Sequence, residues 1–200
     1  IHHRVKNNLQ VIISLLELQS GDIEDPKALH SLQAMSNRIY SMAAIHELLY
    51  QYEGTELVKI GDYVQTLCDH FRNFSAPQES PIFTLTIDTH HFNLPTLMPL
   101  GIILNELLTN SFKYARLPDQ ALKIQISLQK EGDYFCLYYR DNGPGFPKGT
   151  LEKRAGGLGM YLLKSMSRQL RGYFESNNQN GAVYRIFFKE KNKVANYELL

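Results

Sequence analysis

Two hundred residues with 44% hydrophobic content suffice for one well-filled core, or for a small helical module beside a compact domain. Lysine and arginine number 21 against 20 aspartates and glutamates, so a formal charge of +1 gives no electrostatic case for nucleic-acid or membrane-surface binding. Two cysteines, Cys68 and Cys136, read as reduced buried thiols, and no apolar run nears the roughly 20 residues that span a bilayer, so a cytoplasmic setting is expected.

Apolar residues recur at helical spacing from the first position: Ile1, Val5, Leu9, Ile12 and Leu16 predict a helix over 1–19. The pattern is already under way at Ile1, so the sequence reads as the later part of something longer, whose N-terminal region would carry any membrane anchor. Ser20, Gly21 and Asp22 form a turn, and Asp25 with Pro26 signals an N-cap and first helical residue. A second helix over 26–52 carries Leu32, Ile39, Met42, Ile45 and Leu49 as its stripe. Two such helices form an antiparallel hairpin with apolar surface left over. Pairing with a second copy into a four-helix bundle would bury it.

After Gly54 the composition changes. A helix is expected over 60–74, a loop over 76–81 and an alternating strand over 83–88. A helix over 94–115 follows, with Pro95 at its start and Pro99 in its first turn or bending it. Strands over 122–128 and 134–139 meet at Glu131-Gly132-Asp133. A helix over 158–170 and strands over 173–175 and 183–188 complete an α+β arrangement of mixed sheet under helices. Residues 191–200 are read as a tail.

Three segments carry chemistry. On the first helix, at about 100° per residue, His3 falls opposite the apolar stripe and shares a polar face with Asn7, Gln10, Ser14 and Glu17. His2 falls beside the stripe. A neutral imidazole with an ordinary pKa near 6.5 is a competent nucleophile, which makes the exposed His3 the candidate. Asn7, one turn on, is placed to bond the ring or an incoming phosphoryl oxygen, and Arg4 and Lys6 would offset negative charge.

The second segment is Asn105-Glu106-Leu107-Leu108-Thr109-Asn110-Ser111-Phe112-Lys113-Tyr114. Glu106, Asn110, Lys113 and Tyr114 stand at i, i+4, i+7 and i+8, on one helix face. A magnesium nucleotide needs hard oxygen ligands. Asn110 suits that role, Glu106 can hold the ion or orient its water, and Lys113 can meet phosphate oxygens. In the third, Asp141-Asn142-Gly143-Pro144-Gly145 follows a strand and Gly156-Gly157-Leu158-Gly159-Met160 opens a helix. The glycines permit close backbone approach, Asp141 can accept from an exocyclic amine, and helix-terminal N–H groups can cradle phosphate. A mobile lid with Lys148, Lys153 and Arg154 would lie between these loops. No Walker-type Gly-Lys-Ser/Thr is present, which argues against P-loop chemistry. His90-His91, Cys68 and His70 have no ligand partner at suitable spacing, so no metal is assigned to them.

The string from His2 to Ile12 resembles the dimerisation and phosphotransfer helix of bacterial sensor histidine kinases, in the subfamily where Arg follows the phosphorylated histidine. The later segments resemble the ATP-binding fold shared by histidine kinases, gyrase, a heat-shock chaperone and mismatch-repair ATPases. The resemblance implies a helical hairpin over 1–55 and an α/β-sandwich ATP-binding domain over 56–190. It makes His3 the acceptor, with Asn7 and Glu106 as further catalytic residues and Mg2+ on Asn110 and Glu106. It puts ATP on Asn110, Lys113, Tyr114, Asp141, Gly143, Gly145, Gly157, Leu158, Gly159 and Met160, and implies a homodimer that phosphorylates an aspartate on a response-regulator receiver domain. Departures are Arg4, which cannot act as a base, Ala182 where a threonine often follows the last glycine, and a short lid. The rival expectations are a related ATPase or serine kinase on the same fold, and a non-catalytic nucleotide-binding scaffold.

Overall fold

Asp25 starts the second helix as its sequence demands: its carboxylate accepts from the Lys27 N–H at 3.0 Å, and Pro26 occupies the first helical position, where no N–H is needed. The computed structural model describes residues 2–51, 56–73, 80–118, 120–146 and 157–191, with the side chains of His2 and His3 outside that description. Within it, α1 (His2–Ser20) and α2 (Pro26–Gln51) form the expected hairpin. There follow β1 (Leu57–Lys59), α3 (Ile60–Asn73), β2 (Ile82–Ile87), β3 (His91–Asn93), α4 (Leu94–Tyr114), β4 (Lys123–Glu131), β5 (Tyr134–Asp141), α5 (Leu158–Gln169), β6 (Tyr173–Asn178) and β7 (Ala182–Phe188).

The main sheet has the order β2-β4-β5-β7-β6. Strand β2 runs parallel to β4 and the other neighbours are antiparallel, so the sheet is mixed and the fold is α+β. Gly132 takes φ 60° in the two-residue turn between β4 and β5, the left-handed conformation such a hairpin requires. Strands β4 and β5 run further than the sequence pattern indicated, to Glu131 and Asp141. As a result Asp141 is the last strand residue rather than a loop residue.

Strands β1 and β3, which the sequence reading did not contain, pair antiparallel with Val58 opposite Phe92. This ribbon carries His91, expected in a loop, and leads through Asn93 into α4. Asn93 Oδ1 caps the helix by accepting from the Thr96 N–H at 3.0 Å and the Thr96 hydroxyl at 2.7 Å. Helix α4 continues through Pro99, its sixth residue and buried, so that proline is not a first-turn residue. The neighbouring Pro95 carbonyl thereby loses its intrahelical donor, a loss that burial of the surrounding helix outweighs.

Leu104, Leu107 and Leu108 of α4 are inaccessible to solvent, as are Ile126, Ile186 and Phe188 on the sheet. Burial of each such side chain is worth roughly 1.5–3 kcal/mol. The same core continues into the hairpin: Ala44, Ile45, Leu48 and Leu49 of α2 pack into it, and the Tyr63 hydroxyl of α3 donates to the Ser41 carbonyl at 3.1 Å. Both cysteines are buried free thiols. On α1 the buried position is Ile13, and Ile12, expected in the stripe, is 42% exposed. Val5, Leu9 and Leu16 keep their places on the covered side, and Ile13 rather than Ile12 completes it. Val11, Leu15 and Leu18 of α1 and Met35 of α2 remain exposed.

Candidate functional site

The site lies where the end of β5, the last turns of α4 and the start of α5 converge. Asp141 anchors it. Its Oδ1 accepts from the backbone N–H groups of Gly143 and Ala182, both at 3.0 Å, and its Oδ2 accepts from the Ser111 hydroxyl at 2.7 Å. Ser111 in turn lies 2.8 Å from the Tyr139 hydroxyl, which also reaches the Leu107 carbonyl at 3.2 Å. Three donors hold a 5% exposed carboxylate in one orientation. Burial, then the nearby Asp141 charge, pushes the Tyr184 phenol well above its ordinary range; burial does the same to Tyr139. Both phenols therefore stay neutral near the carboxylate.

The glycines around Asp141 are there for space. A Cβ on Gly143 would lie 2.4 Å from Cα of Ala115, so this loop can pass the end of α4 only without a side chain. Gly181, at φ 132°, brings the β6–β7 turn against the Asp141 carbonyl, where a Cβ would be 1.8 Å away. Asn178 then staples the loop beyond Gly145. It accepts from the Phe146 N–H at 2.8 Å and donates to the Phe146 carbonyl at 3.1 Å. Asn142 ties the other side to β4, accepting from the Lys123 N–H and donating to the Ala121 carbonyl.

The face of α4 runs from inside to outside. Glu106 is 4% exposed, Asn110 half-buried, Lys113 exposed, and Tyr114 59% exposed with the Lys113 ammonium 4.9 Å above its ring. The opening of α5 lies across this face. A Cβ on Gly159 would stand 3.0 Å from Oε2 of Glu106 and 3.9 Å from Nδ2 of Asn110. Among the described residues the first intrahelical bond of α5 is Tyr161 N–H to the Gly157 carbonyl, and the N–H groups of Leu158, Gly159 and Met160 have no intrahelical acceptor there. The carboxylate of Glu106, the amide of Asn110 and the N–H groups at the start of α5 are thus brought together, a set suited to a divalent cation and phosphate oxygens.

Glu106 also has a partner absent from the sequence reading. Arg38 of α2 directs its Nε at Oε1 of Glu106 at 2.5 Å, with side chains 20% and 5% exposed. Ser111, Tyr139 and Asn178 were likewise not assigned. Ser111 stands inside the quoted motif, and its position one residue after Asn110 was the available signal; Arg38 and Asn178 had none. On α1, Asn7 is exposed, but Lys6 is engaged by Glu47 of α2 at 2.5 Å rather than left to balance the charge near His3. The expected lid cations Lys148, Lys153 and Arg154 and the first glycine, Gly156, lie outside the described residues, as does the His3 ring.

Comparison with known proteins matches both halves. Residues 1–75 match the family described as Histidine kinase, and residues 97–192 the family described as Histidine kinase-, DNA gyrase B-, and HSP90-like ATPase. Sensor histidine kinase PdtaS of Mycobacterium tuberculosis is 26% identical over 175 residues, covering 86% of this chain and 34% of the relative. Blue-light-activated histidine kinase 1 of Erythrobacter litoralis is 27% identical over 177 residues, covering 88% of this chain and 47% of the relative. The chain thus spans about a third to a half of the length of these relatives. In structure, the histidine kinase domain of an Erythrobacter litoralis blue-light activated kinase superposes with a TM-score of 0.70 at 18% identity, over 94% of this chain and 88% of that one. Acinetobacter baumannii histidine kinase AdeS gives a TM-score of 0.58, also at 18% identity, over 93% of this chain and 97% of that one. A histidine-kinase segment leads, the matching ATPase segment follows, and the fold is common to both structures: the chain belongs to the histidine kinases.

Proposed function

We propose that this core uses ATP to phosphorylate its own His3 and passes the phosphoryl group to an aspartate on a response-regulator receiver domain. One observation carries the reading: the fixed Asp141 carboxylate, the Glu106–Asn110 face and the open N-terminus of α5 converge at one end of the ATPase fold. Asp141 would take the adenine amine, with Gly143 and Gly145 shaping the slot. Lys113, Tyr114 and the N–H groups of Gly157, Leu158, Gly159 and Met160 would meet ribose and phosphates. Glu106 and Asn110 would hold Mg2+, which when bound neutralises charge on the transferring phosphate.

In the step itself, the unprotonated imidazole nitrogen of His3 forms a bond to the terminal phosphorus as the bond to the β-phosphate oxygen breaks, ADP leaves with that oxygen, and the phosphoimidazolium passes its remaining N–H proton to water. Asn7 would orient the ring. Catalysis of this kind rests mainly on positioning and charge neutralisation. The exposed Val11, Leu15, Leu18 and Met35 support pairing with a second copy as a homodimer. Among the described residues no helix is long and apolar enough to cross a membrane. A cytoplasmic working place for this core is part of the proposal.

Incubation with terminally labelled ATP tests it. Acid-labile label on the wild-type chain and on His2→Ala, and none on His3→Ala, is the expected pattern. Label retained by His3→Ala overturns the acceptor assignment, and acid-stable label would indicate a serine kinase instead. Failure of the wild-type chain to bind ATP with Mg2+, beside a stable dimer, would leave a scaffold.

A further inference from the structure

The hairpin and the nucleotide face meet at one ion pair. Arg38 belongs to α2 and Glu106 to α4, 68 residues apart, and the pair is almost enclosed. The hydrogen bond runs from Nε to Oε1. The other oxygen, Oε2, faces Gly159 at the opening of α5. One carboxylate therefore has a cation from the hairpin on one oxygen and the nucleotide loop on the other.

We infer that Arg38 is a positioning residue that holds Glu106 in the metal's stead, so that seating of Mg2+ with nucleotide and release of Arg38 from Glu106 are linked. The inference rests on the nucleotide-site reading above. A divalent cation drawn to Glu106 meets a guanidinium already within 2.5 Å of the same carboxylate. In so enclosed a place two cations repel strongly, and one carboxylate cannot compensate both. The metal must therefore displace Arg38 or bind at a disadvantage. Since linkage is reciprocal, docking of α2 through Arg38 raises the Mg2+ requirement of the site, and Mg-nucleotide loosens α2 there.

The test is the Mg2+ dependence of nucleotide binding, read with a fluorescent non-hydrolysable ATP analogue. Arg38→Gln removes the competing charge and should lower the half-saturating Mg2+ concentration about ten-fold. Arg38→Lys keeps the charge and should stay within about two-fold of wild type. Affinity for the analogue in EDTA should not rise in Arg38→Gln, because the competition is for the metal. A wild-type chain with no Mg2+-dependent binding would overturn the nucleotide-site reading itself. Wild-type binding with an unchanged or raised Mg2+ requirement in Arg38→Gln would overturn the role of Arg38 alone.

Should Arg38→Gln fail to fold, hydrogen exchange on the wild-type chain decides. Amides around Arg38 in α2 should exchange faster with analogue plus Mg2+ than with analogue in EDTA. Equal or slower exchange would refute the linkage.

Discussion

The Ser111 hydroxyl stands 2.7 Å from Oδ2 of Asp141, joining the helix that carries Glu106 and Asn110 to the strand that carries the proposed adenine acceptor. It accepts in turn from Tyr139, so two hydroxyls in series, one from α4 and one from β5, fix one oxygen. Ser111→Ala removes the donor and leaves a buried carboxylate oxygen and a buried phenol without it. The expected cost is about 1–3 kcal/mol of stability, with nucleotide affinity lower by about ten-fold. Chemical denaturation and fluorescent-nucleotide titration check both; an affinity equal to wild type would show that Asp141 is held adequately by Gly143 and Ala182 alone.

The two described glycines at the opening of α5 should behave differently. Among the described residues a Cβ on Gly157 meets nothing within 4 Å, and its φ of −59° is open to any residue. A Cβ on Gly159 intrudes on Glu106. Gly157→Ala should bind Mg-nucleotide within about two-fold of wild type, whereas Gly159→Ala should bind about ten-fold or more weakly. Gly159→Ala should nonetheless melt no lower than wild type, because alanine favours the helix by about 1 kcal/mol. Calorimetric titration alongside thermal melting separates the two effects.

Gly181 answers to sterics and backbone at once. Its φ of 132° is a glycine conformation, and a Cβ there would strike the Asp141 carbonyl at 1.8 Å. Gly181→Ala should cost roughly 4 kcal/mol or more and displace Asp141. Circular dichroism melts would read the loss, and a fully stable variant would mean that the β6–β7 turn can be rebuilt without harm.

His70 of α3 gives the chain an acid sensitivity unrelated to phosphoryl transfer. Its ring stacks on Tyr40 at 3.5 Å, its Nε2 lies 3.3 Å from Oδ1 of Asn37, and burial lowers its pKa from 6.5 to about 4. The unfolded chain therefore binds this proton first as pH falls. The stabilising contribution is whole above pH 6.5, is lost progressively as pH drops towards about 4, and is flat below. Its size, discounted for partial solvent access, is about 2 kcal/mol. Denaturant midpoints across that window should fall less steeply for His70→Gln than for wild type.

Much of this was legible before any coordinates, for identifiable reasons. Asp25-Pro26 and Glu131-Gly132-Asp133 are local signals, and local chemistry fixed the start of α2 and the β4–β5 turn where expected. The α4 motif carried its burial gradient in its spacing. What stayed hidden was long-range. Leu57–Lys59 and His91–Asn93 are three-residue strands that pair only with each other, too short to show alternation. Arg38 looks like any helix-surface cation until α2 is seen to dock on α4. In the α1 stripe Ile12 stood in for Ile13, because a wheel gives the direction of a face but not which neighbour covers it. The order of motifs, rather than any one of them, indicated the family.

Ala44, Ile45, Leu48 and Leu49 bind the lower half of α2 into the same interior as the sheet. That half is packed into the ATPase fold rather than joined to it by a slack tether. Relative motion of the hairpin and the ATPase fold must therefore be taken up by bending or torsion of α2 above Ser41, in the stretch that carries Arg38.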